Sequence, residues 1–179
     1  MTLKLTVAGM LQCGSTRLFN LLILLYENNN NTVHSCLNYE HDKDDEYDVI
    51  INKTHDADVS IRDKYDIILL PMRDIRDCAI SARIRFKKDD IIENCLCNIN
   101  LFNTLNEISD FVFIYEKYDF EYIKELIKFL NLNLSDDVIN DVMMKLHTMH
   151  ISLDIVKFSD HNDKIYKKTL YSQHHNTSN

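Results

Sequence analysis

The stretch Gly9–Leu22, GMLQCGSTRLFNLL, has the residue types of a phosphate-binding loop. Gly9 and Gly14 keep the spacing of the Walker loop, G-x-x-x-x-G-K-[ST], but Ser15 stands in the lysine position and Thr16 follows it. Backbone N–H groups at a helix start bind anions, because they donate hydrogen bonds and lie at the positive end of the helix dipole. Triphosphate sites need the lysine, usually beside magnesium. Taken alone, the loop therefore fits either an anion site for a ligand other than a triphosphate or an ordinary turn between a strand and a helix.

Three further groups of polar residues follow apolar runs. Lys53 and His55 follow DVIIN, and a histidine near neutrality can take a proton from a hydroxyl group. Arg73 follows YDIILLPM, and Ser81 lies two turns into the next predicted helix; the arginine fork matches phosphate oxygens. Tyr115 closes FVFIY. Taken singly, each group also fits an ordinary surface pair, a helix-start ion pair or a core tyrosine.

These residues need a framework of alternating strands and helices. The hydrophobic pattern predicts strands at Leu3–Ala8, Asp48–Asn52, Tyr65–Met72 and Phe111–Tyr115. It predicts helices from Ser15 to a stop at Asn28–Asn31, at Asp74–Lys88, Asp90–Ile108 and Asp119–Leu130, and from a cap at Ser135 to about Met149. In the helix Asp90–Ile108, the predicted inward side chains are Ile91, Ile92, Cys95, Ile99, Phe102 and Leu105. The polar segment from Asn28 through the acidic residues 40–48 is predicted to be an exposed loop.

Alternating strands and helices indicate an α/β fold, a three-layer α/β/α arrangement with a central parallel sheet. Ligands bind such folds where strands end and helices begin, and all four polar groups lie at those junctions. The 179 residues fit one domain, 1–179, with a core at about 3–150 and a tail, 151–179, without clear periodicity.

Composition narrows the class of protein. A net charge of −8 argues against nucleic acid and anionic membranes as partners, whereas the basic residues within 73–88 favour a specific anionic ligand. The five cysteines are an odd number in a chain too large to depend on disulfides, which indicates a reducing compartment and a cytoplasmic protein. Cys95 and Cys97 lack a second pair at zinc-ligand spacing, so no metal is expected. The apolar run Leu18–Tyr26 is too short to span a bilayer, and no leader segment is expected.

The four motifs, in this order, resemble those of the cytosolic-type sulfotransferases, which transfer a sulfonate group from 3'-phosphoadenosine 5'-phosphosulfate (PAPS) and release 3'-phosphoadenosine 5'-phosphate (PAP). The 5'-phosphosulfate loop of that family is similar to Gln12-Cys13-Gly14-Ser15-Thr16, and its K-T-H motif matches Lys53-Thr54-His55. Its 3'-phosphate motif, an arginine followed eight residues later by a serine, matches Arg73 and Ser81. Its Y-E-D motif resembles Tyr115-Glu116-Lys117. The resemblance covers about Leu3 to Leu130 and implies a P-loop nucleotide-hydrolase-like fold of the sulfotransferase type.

The resemblance also implies a role for each matching residue. Catalytic roles would fall to His55 as the general base on the acceptor, to Lys53 as the group that stabilises transferring charge, and to Gln12, which stands where the family usually has a basic residue. The residues expected to bind PAPS or PAP are Gln12, Cys13, Gly14, Ser15, Thr16, Arg17, Arg73, Ser81 and Tyr115. The family needs no metal. The implied acceptor is a hydroxyl or amine on a small molecule or glycan, and a homodimer is one way to complete its pocket.

Two other functions stay open on the sequence. Gln12 brings no charge and no glycine follows Gly14, so the chain could be a catalytically degenerate module that binds PAP, PAPS or a protein partner. A P-loop kinase acting on small molecules is the other alternative, and the missing Walker lysine counts against it.

Overall fold

The computed structural model describes residues 2–37, 46–55, 58–86 and 90–149. Its centre is a parallel five-stranded sheet in the order β2-β3-β1-β4-β5. The strands are β1 (Leu3–Ala8), β2 (Val33–Leu37), β3 (Val49–Thr54), β4 (Ile67–Met72) and β5 (Phe111–Ile114). Because every pairing is parallel, the carboxyl ends of the strands meet at one edge; Ala8, for instance, pairs with Thr54. The predicted parallel sheet is confirmed.

Helices cover both faces of this sheet. They are α1 (Ser15–Asn28), α2 (Ile75–Phe86), α3 (Ile91–Ile108), α4 (Phe120–Phe129) and α5 (Asp136–Thr148). Short 3-10 helices at Val59–Asp63 and Tyr115–Lys117 complete the order. Leu5 and Val7 of β1 pack with α1, α4 and α5, whereas Ala8 packs with Leu105 of α3 and with Ile61 of the first 3-10 helix. The two faces are therefore both covered, and the three-layer α/β/α prediction is confirmed.

Local sequence explains where the later helices begin. Asp90, Asp119 and Ser135 each lie one residue before a helix, and each side chain accepts a hydrogen bond from a backbone N–H of the first turn. Such caps satisfy backbone donors that have no partner inside the helix. The predicted cap at Ser135 is confirmed, with 3.4 Å between its Oγ and the nitrogen of Val138.

Two predictions about the elements are wrong. Part of the segment from Asn28 to Asp48, predicted to be an exposed loop, forms the edge strand β2. The polar residues His34 and Ser35 interrupt the apolar pattern by which a strand is predicted from sequence, so β2 was not predicted. In α3, Ile92 and Ile99 do not point inward: they are 74% and 41% exposed. Apolar residues on several sides of that helix made its buried stripe ambiguous.

The predicted strand at Phe111–Tyr115 is present as β5, but it is only partly buried. Phe113 is buried in it, whereas the other three residues are partly exposed. Its position at the edge of the sheet explains this, since an edge strand has a neighbour on one side only. The tail 151–179 lies outside the described residues. Among the described helices, none has the length and apolar character needed to cross a membrane.

Candidate functional site

The loop between β1 and α1 lies at the carboxyl edge of the sheet, and its glycines are required by geometry. Gly14 has a φ of 87°, a backbone conformation that residues other than glycine rarely adopt. A Cβ atom there would also lie 2.3 Å from Cδ2 of Tyr115. At Gly9, a Cβ atom would lie 2.7 Å from Cγ of Pro71. Gln12 has a φ of 64° as well, so the loop holds a residue other than glycine in the left-handed region.

Lys53 connects the end of β3 to the first turn of α1. Its Nζ donates a hydrogen bond of 2.7 Å to Oγ1 of Thr16, and both residues are buried. An ammonium group in low-dielectric surroundings interacts strongly with nearby charge. Lys53 therefore puts its ammonium group beside the helix start.

His55 follows Lys53 by two residues and contacts the other end of the loop. Its Nδ1 lies 2.7 Å from the carbonyl oxygen of Gly9. A carbonyl oxygen can only accept, so Nδ1 carries the proton and a neutral ring holds its lone pair on Nε2. This contact fixes both the tautomer and the orientation that a general base needs.

Arg73 approaches the loop from the end of β4. Its guanidinium donates a 3.5 Å hydrogen bond to the carbonyl oxygen of Gln12 and lies 5.1 Å from the centre of the Tyr115 ring. It also forms an ion pair of 3.7 Å with Asp77, one turn further along the chain. Any anion that binds Arg73 must compete with that carboxylate.

The second 3-10 helix adds an aromatic surface to the same edge. Arg17, in the first turn of α1, places its guanidinium carbon 3.7 Å from the centre of the Tyr118 ring and 5.6 Å from that of Tyr115. Such contacts are cation–π interactions. Arg17 thus already stacks on an aromatic ring of this chain, whereas its binding of PAPS or PAP stays a prediction.

Two buried cysteines, Cys13 in the loop and Cys78 in α2, are held in the thiol form. Cys13 and Cys78 are fully buried and pack with Met10 and with Phe102 of α3. Burial raises the pKa of Cys13 to about 12, although Ser15 and Lys53 partly oppose the shift. Burial also raises the pKa of Cys78 to about 12. These thiols support the loop by packing and are poor nucleophiles at neutral pH.

The structure thus brings most of the predicted site residues together at one edge. Gln12, Gly14, Arg73 and Tyr115 are joined by direct contacts, and Lys53 and His55 contact the two ends of the same loop. Ser81 is the exception: it is half-buried in α2, and its side chain has no hydrogen bond to a described residue of the loop. The roles of all these residues stay predictions.

Sequence reasoning missed two participants. Asp77 was not assigned to the site, yet its spacing of four residues from Arg73 is the signal for an ion pair. Tyr118 was not considered, and no pattern in the sequence pairs it with Arg17. In the described part of the chain, no cluster of three or more His, Cys, Asp or Glu side chains could hold a metal ion.

Comparisons with known proteins define the fold. No protein-family model matches the chain, and a search of curated proteins finds no relative. Among solved structures, the chain is similar to mouse sulfotransferase SULT7A1 complexed with PAP, with a TM-score of 0.63 and 12% sequence identity. The similarity covers 84% of this chain and 67% of that one. The fold implied by the four sequence motifs is confirmed: this chain has the fold of a cytosolic sulfotransferase.

Proposed function

We propose that this protein is a PAPS-dependent sulfotransferase that transfers a sulfonate group to an acceptor hydroxyl or amine. One observation carries the proposal: Lys53 and His55 at the end of β3, and Arg73 after β4, all contact the segment Gly9–Thr16 that leads into α1. A cation, a base and a phosphate-binding fork around a helix N-terminus form a donor set for an anionic nucleotide. The likeness to a sulfotransferase that was solved with PAP supports the same ligand here.

Each group has a distinct task in this proposal. Bound PAPS supplies the sulfonate group, whose sulfur is attacked by the acceptor oxygen. The acceptor proton goes to Nε2 of His55, since Nδ1 is committed to the Gly9 carbonyl. Lys53 stabilises the negative charge that collects on the phosphate oxygen as the sulfur–oxygen bond breaks. PAP then leaves with the bonding electron pair, and the acceptor keeps the sulfonate.

The other end of the nucleotide needs a separate site. Arg73 offers its guanidinium, and Ser81 lies in the next helix, two turns along. In this structure the guanidinium of Arg73 forms an ion pair with the Asp77 carboxylate, so we expect binding of the 3'-phosphate to displace that carboxylate. The amide of Gln12 supplies hydrogen bonds without charge where the family usually has a basic residue. We place the reaction in the cytoplasm, where the five free cysteines would stay reduced.

The ligand can be tested by thermal denaturation with PAP, magnesium-ATP and AMP. A ligand at 100 times its Kd adds about 2.7 kcal/mol to the free energy of unfolding. We expect PAP to stabilise the protein most, and we expect Arg73→Met to weaken that effect. Arg83→Met is the matched control, because Arg83 is an exposed residue of the same α2 region. Stabilisation by magnesium-ATP but not by PAP would indicate a kinase instead.

Catalysis is tested with labelled PAPS. We expect His55→Ala to abolish sulfonate transfer while PAP affinity stays nearly unchanged, because His55 contacts the loop at Gly9, five residues before Gly14. His147→Ala, in α5, serves as the control that leaves transfer intact. If the unmodified protein binds PAP but transfers nothing, the degenerate binding module is the correct function.

A further inference from the structure

The ring of Tyr118 supports the side chain of Arg17 directly. The guanidinium carbon of Arg17 lies 3.7 Å from the centre of the Tyr118 ring, against 5.6 Å from the centre of the Tyr115 ring. At the shorter distance the guanidinium group is in van der Waals contact with the ring, which is the geometry of a cation–π interaction. Burial raises the pKa of Tyr118, so its phenol is neutral at pH 7 and the contact is not an ion pair.

Tyr118 is itself held in place by the fold. Its backbone N–H donates a hydrogen bond of 3.3 Å to the carbonyl oxygen of Tyr115 and so closes the second 3-10 helix. Its ring meets that of Phe113 edge to face, with 6.4 Å between the two centres, and Phe113 is buried in β5. The next residue, Asp119, caps α4. Arg17 therefore has a support that is fixed between a strand and a helix cap.

Arg17 and Arg73 differ in how their charges are balanced. Their guanidinium groups lie 5.6 Å and 5.1 Å from the centre of the same ring, that of Tyr115. Arg73 forms an ion pair with Asp77, whereas none of the ion pairs within the described residues involves Arg17. Of these two cations, Arg17 is thus the one that need not give up a carboxylate before it binds an anion.

The position of Arg17 in the chain puts this charge at the helix start. Arg17 lies in the first turn of α1, where the backbone N–H groups and the helix dipole already favour an anion. The loop before that turn carries Gln12, which is polar but uncharged. A guanidinium group in the first turn therefore adds a charged donor that the loop itself does not contain.

We propose that Tyr118 is the positioning residue of Arg17, and that Arg17, held on this ring, supplies to the 5' end of the nucleotide the positive charge that Gln12 lacks. The inference rests on the proposed sulfotransferase function. Tyr118 itself touches no ligand: its ring restricts the arginine side chain, so that less side-chain entropy is lost on binding. The Nε of Arg17 is buried and bonds no described residue, so the terminal nitrogens are the donors assigned to the ligand.

The test compares three nucleotides: PAP, AMP with its 5'-phosphate only, and adenosine 3'-phosphate. Their Kd values are measured by calorimetry. We expect Tyr118→Leu to weaken PAP and AMP about fivefold, as the loss of a partly buried cation–π contact predicts, and adenosine 3'-phosphate by less than about twofold. Equal weakening of all three would place Arg17 on the nucleoside that they share and would overturn the inference.

Further variants show whether Tyr118 acts through Arg17. Tyr118→Phe keeps the ring, so its PAP affinity should stay within about twofold of the unmodified protein. Arg17→Met should weaken PAP about tenfold or more, and adding Tyr118→Leu to it should cause no further loss. A purely structural role would instead make Tyr118→Leu equally costly with and without Arg17. That result, or a loss in Tyr118→Phe as large as in Tyr118→Leu, overturns the inference.

Phe129→Leu is the matched control. Phe129 is a partly exposed ring at the other end of α4, 4.9 Å from the centre of the Phe111 ring, so its loss removes an aromatic contact outside the site. We expect the three Kd values to stay unchanged in this variant, with all measurements made well below the melting temperature of each protein. A loss of PAP affinity equal to that of Tyr118→Leu would mean that lost packing alone is responsible, which overturns the inference.

The two proposals fail in different ways. If PAP binds but Tyr118→Leu weakens neither PAP nor AMP, the inference about Tyr118 is wrong and the nucleotide site stands. If magnesium-ATP binds in place of PAP and still depends on Arg17 and Tyr118 together, Tyr118 has the proposed role and the sulfotransferase function is wrong. If no nucleotide binds, both are wrong.

Discussion

The two faces of the sheet are packed differently. Under α1, α4 and α5, the core is continuous, and Leu21, Leu22, Leu24 and Leu25 of α1 are fully buried. On the opposite face, the buried cluster is smaller, and α2 and α3 expose the aliphatic side chains Ile80, Ile84, Ile92, Leu96 and Ile99. The first face holds most of the buried apolar side chains, whereas the second carries the helix that follows Arg73.

The largest contrast that we expect is in cysteine reactivity. Cys13, with its pKa raised from 9.0 to about 12, holds roughly a thousandfold less thiolate below pH 9 than an ordinary thiol. Cys97 is exposed on the α3 side. Iodoacetamide at pH 8 should therefore label Cys97 first and Cys13 only after unfolding, as measured by mass spectrometry. Cys97→Ser gives the control, and fast labelling of Cys13 in the folded protein would contradict the packing of the loop.

Matched leucine substitutions measure the two faces directly. Leu22→Ala leaves a cavity in the packed core and should lower the free energy of unfolding by about 2–5 kcal/mol. Leu96 is 57% exposed, so Leu96→Ala should change it by no more than about 0.5 kcal/mol. Urea denaturation of both variants measures the difference, and similar losses would mean that α3 is covered in solution.

The loop lies at the carboxyl edge of the sheet, between the two faces. The variant Gly14→Ala tests whether its left-handed backbone conformation requires glycine. The substitution adds a Cβ atom in a left-handed conformation and against the Tyr115 ring, so we expect a loss of about 1–3 kcal/mol. PAP binding should fall as well. The double variant Gly14→Ala with Tyr115→Ala separates the two causes, because it removes the ring and keeps the backbone strain.

The smallest expected effect is a gain of stability. Asn20 lies in α1 on the packed face, and its buried Oδ1 lacks a hydrogen bond within the described chain. Asn20→Leu removes an unpaired polar group and improves helix propensity, so the free energy of unfolding should rise by about 1 kcal/mol. A loss of stability would show that the amide has a partner in solution.

The same contrast explains how far the sequence predicts this protein. The strands β1, β3 and β4 have recognisable apolar patterns, alternating in β1 and continuous at the start of β3 and in β4. Their motifs lie at strand ends, so the parallel sheet and the shared edge follow from pattern alone. The strand β2 was missed because polar residues interrupt its apolar pattern. The inward side of α3 was misjudged because the loosely packed face leaves apolar residues on its surface.

For the site, sequence predicts the residue types but not their contacts. The bond from Arg73 to the Gln12 carbonyl and the stacking of Arg17 on Tyr118 join residues that are far apart in the chain. Such pairs depend on how strand ends are aligned in space, which one sequence does not record.

The close approach of Gly14 to Tyr115 limits how this chain can evolve. A lineage that replaced the glycine would need a smaller residue at position 115 to relieve the contact, and its backbone would still be left-handed there. Position 115 can therefore change while the glycine stays, whereas the glycine cannot change first. Replacement of Tyr115 by a smaller residue has to come before any replacement of Gly14.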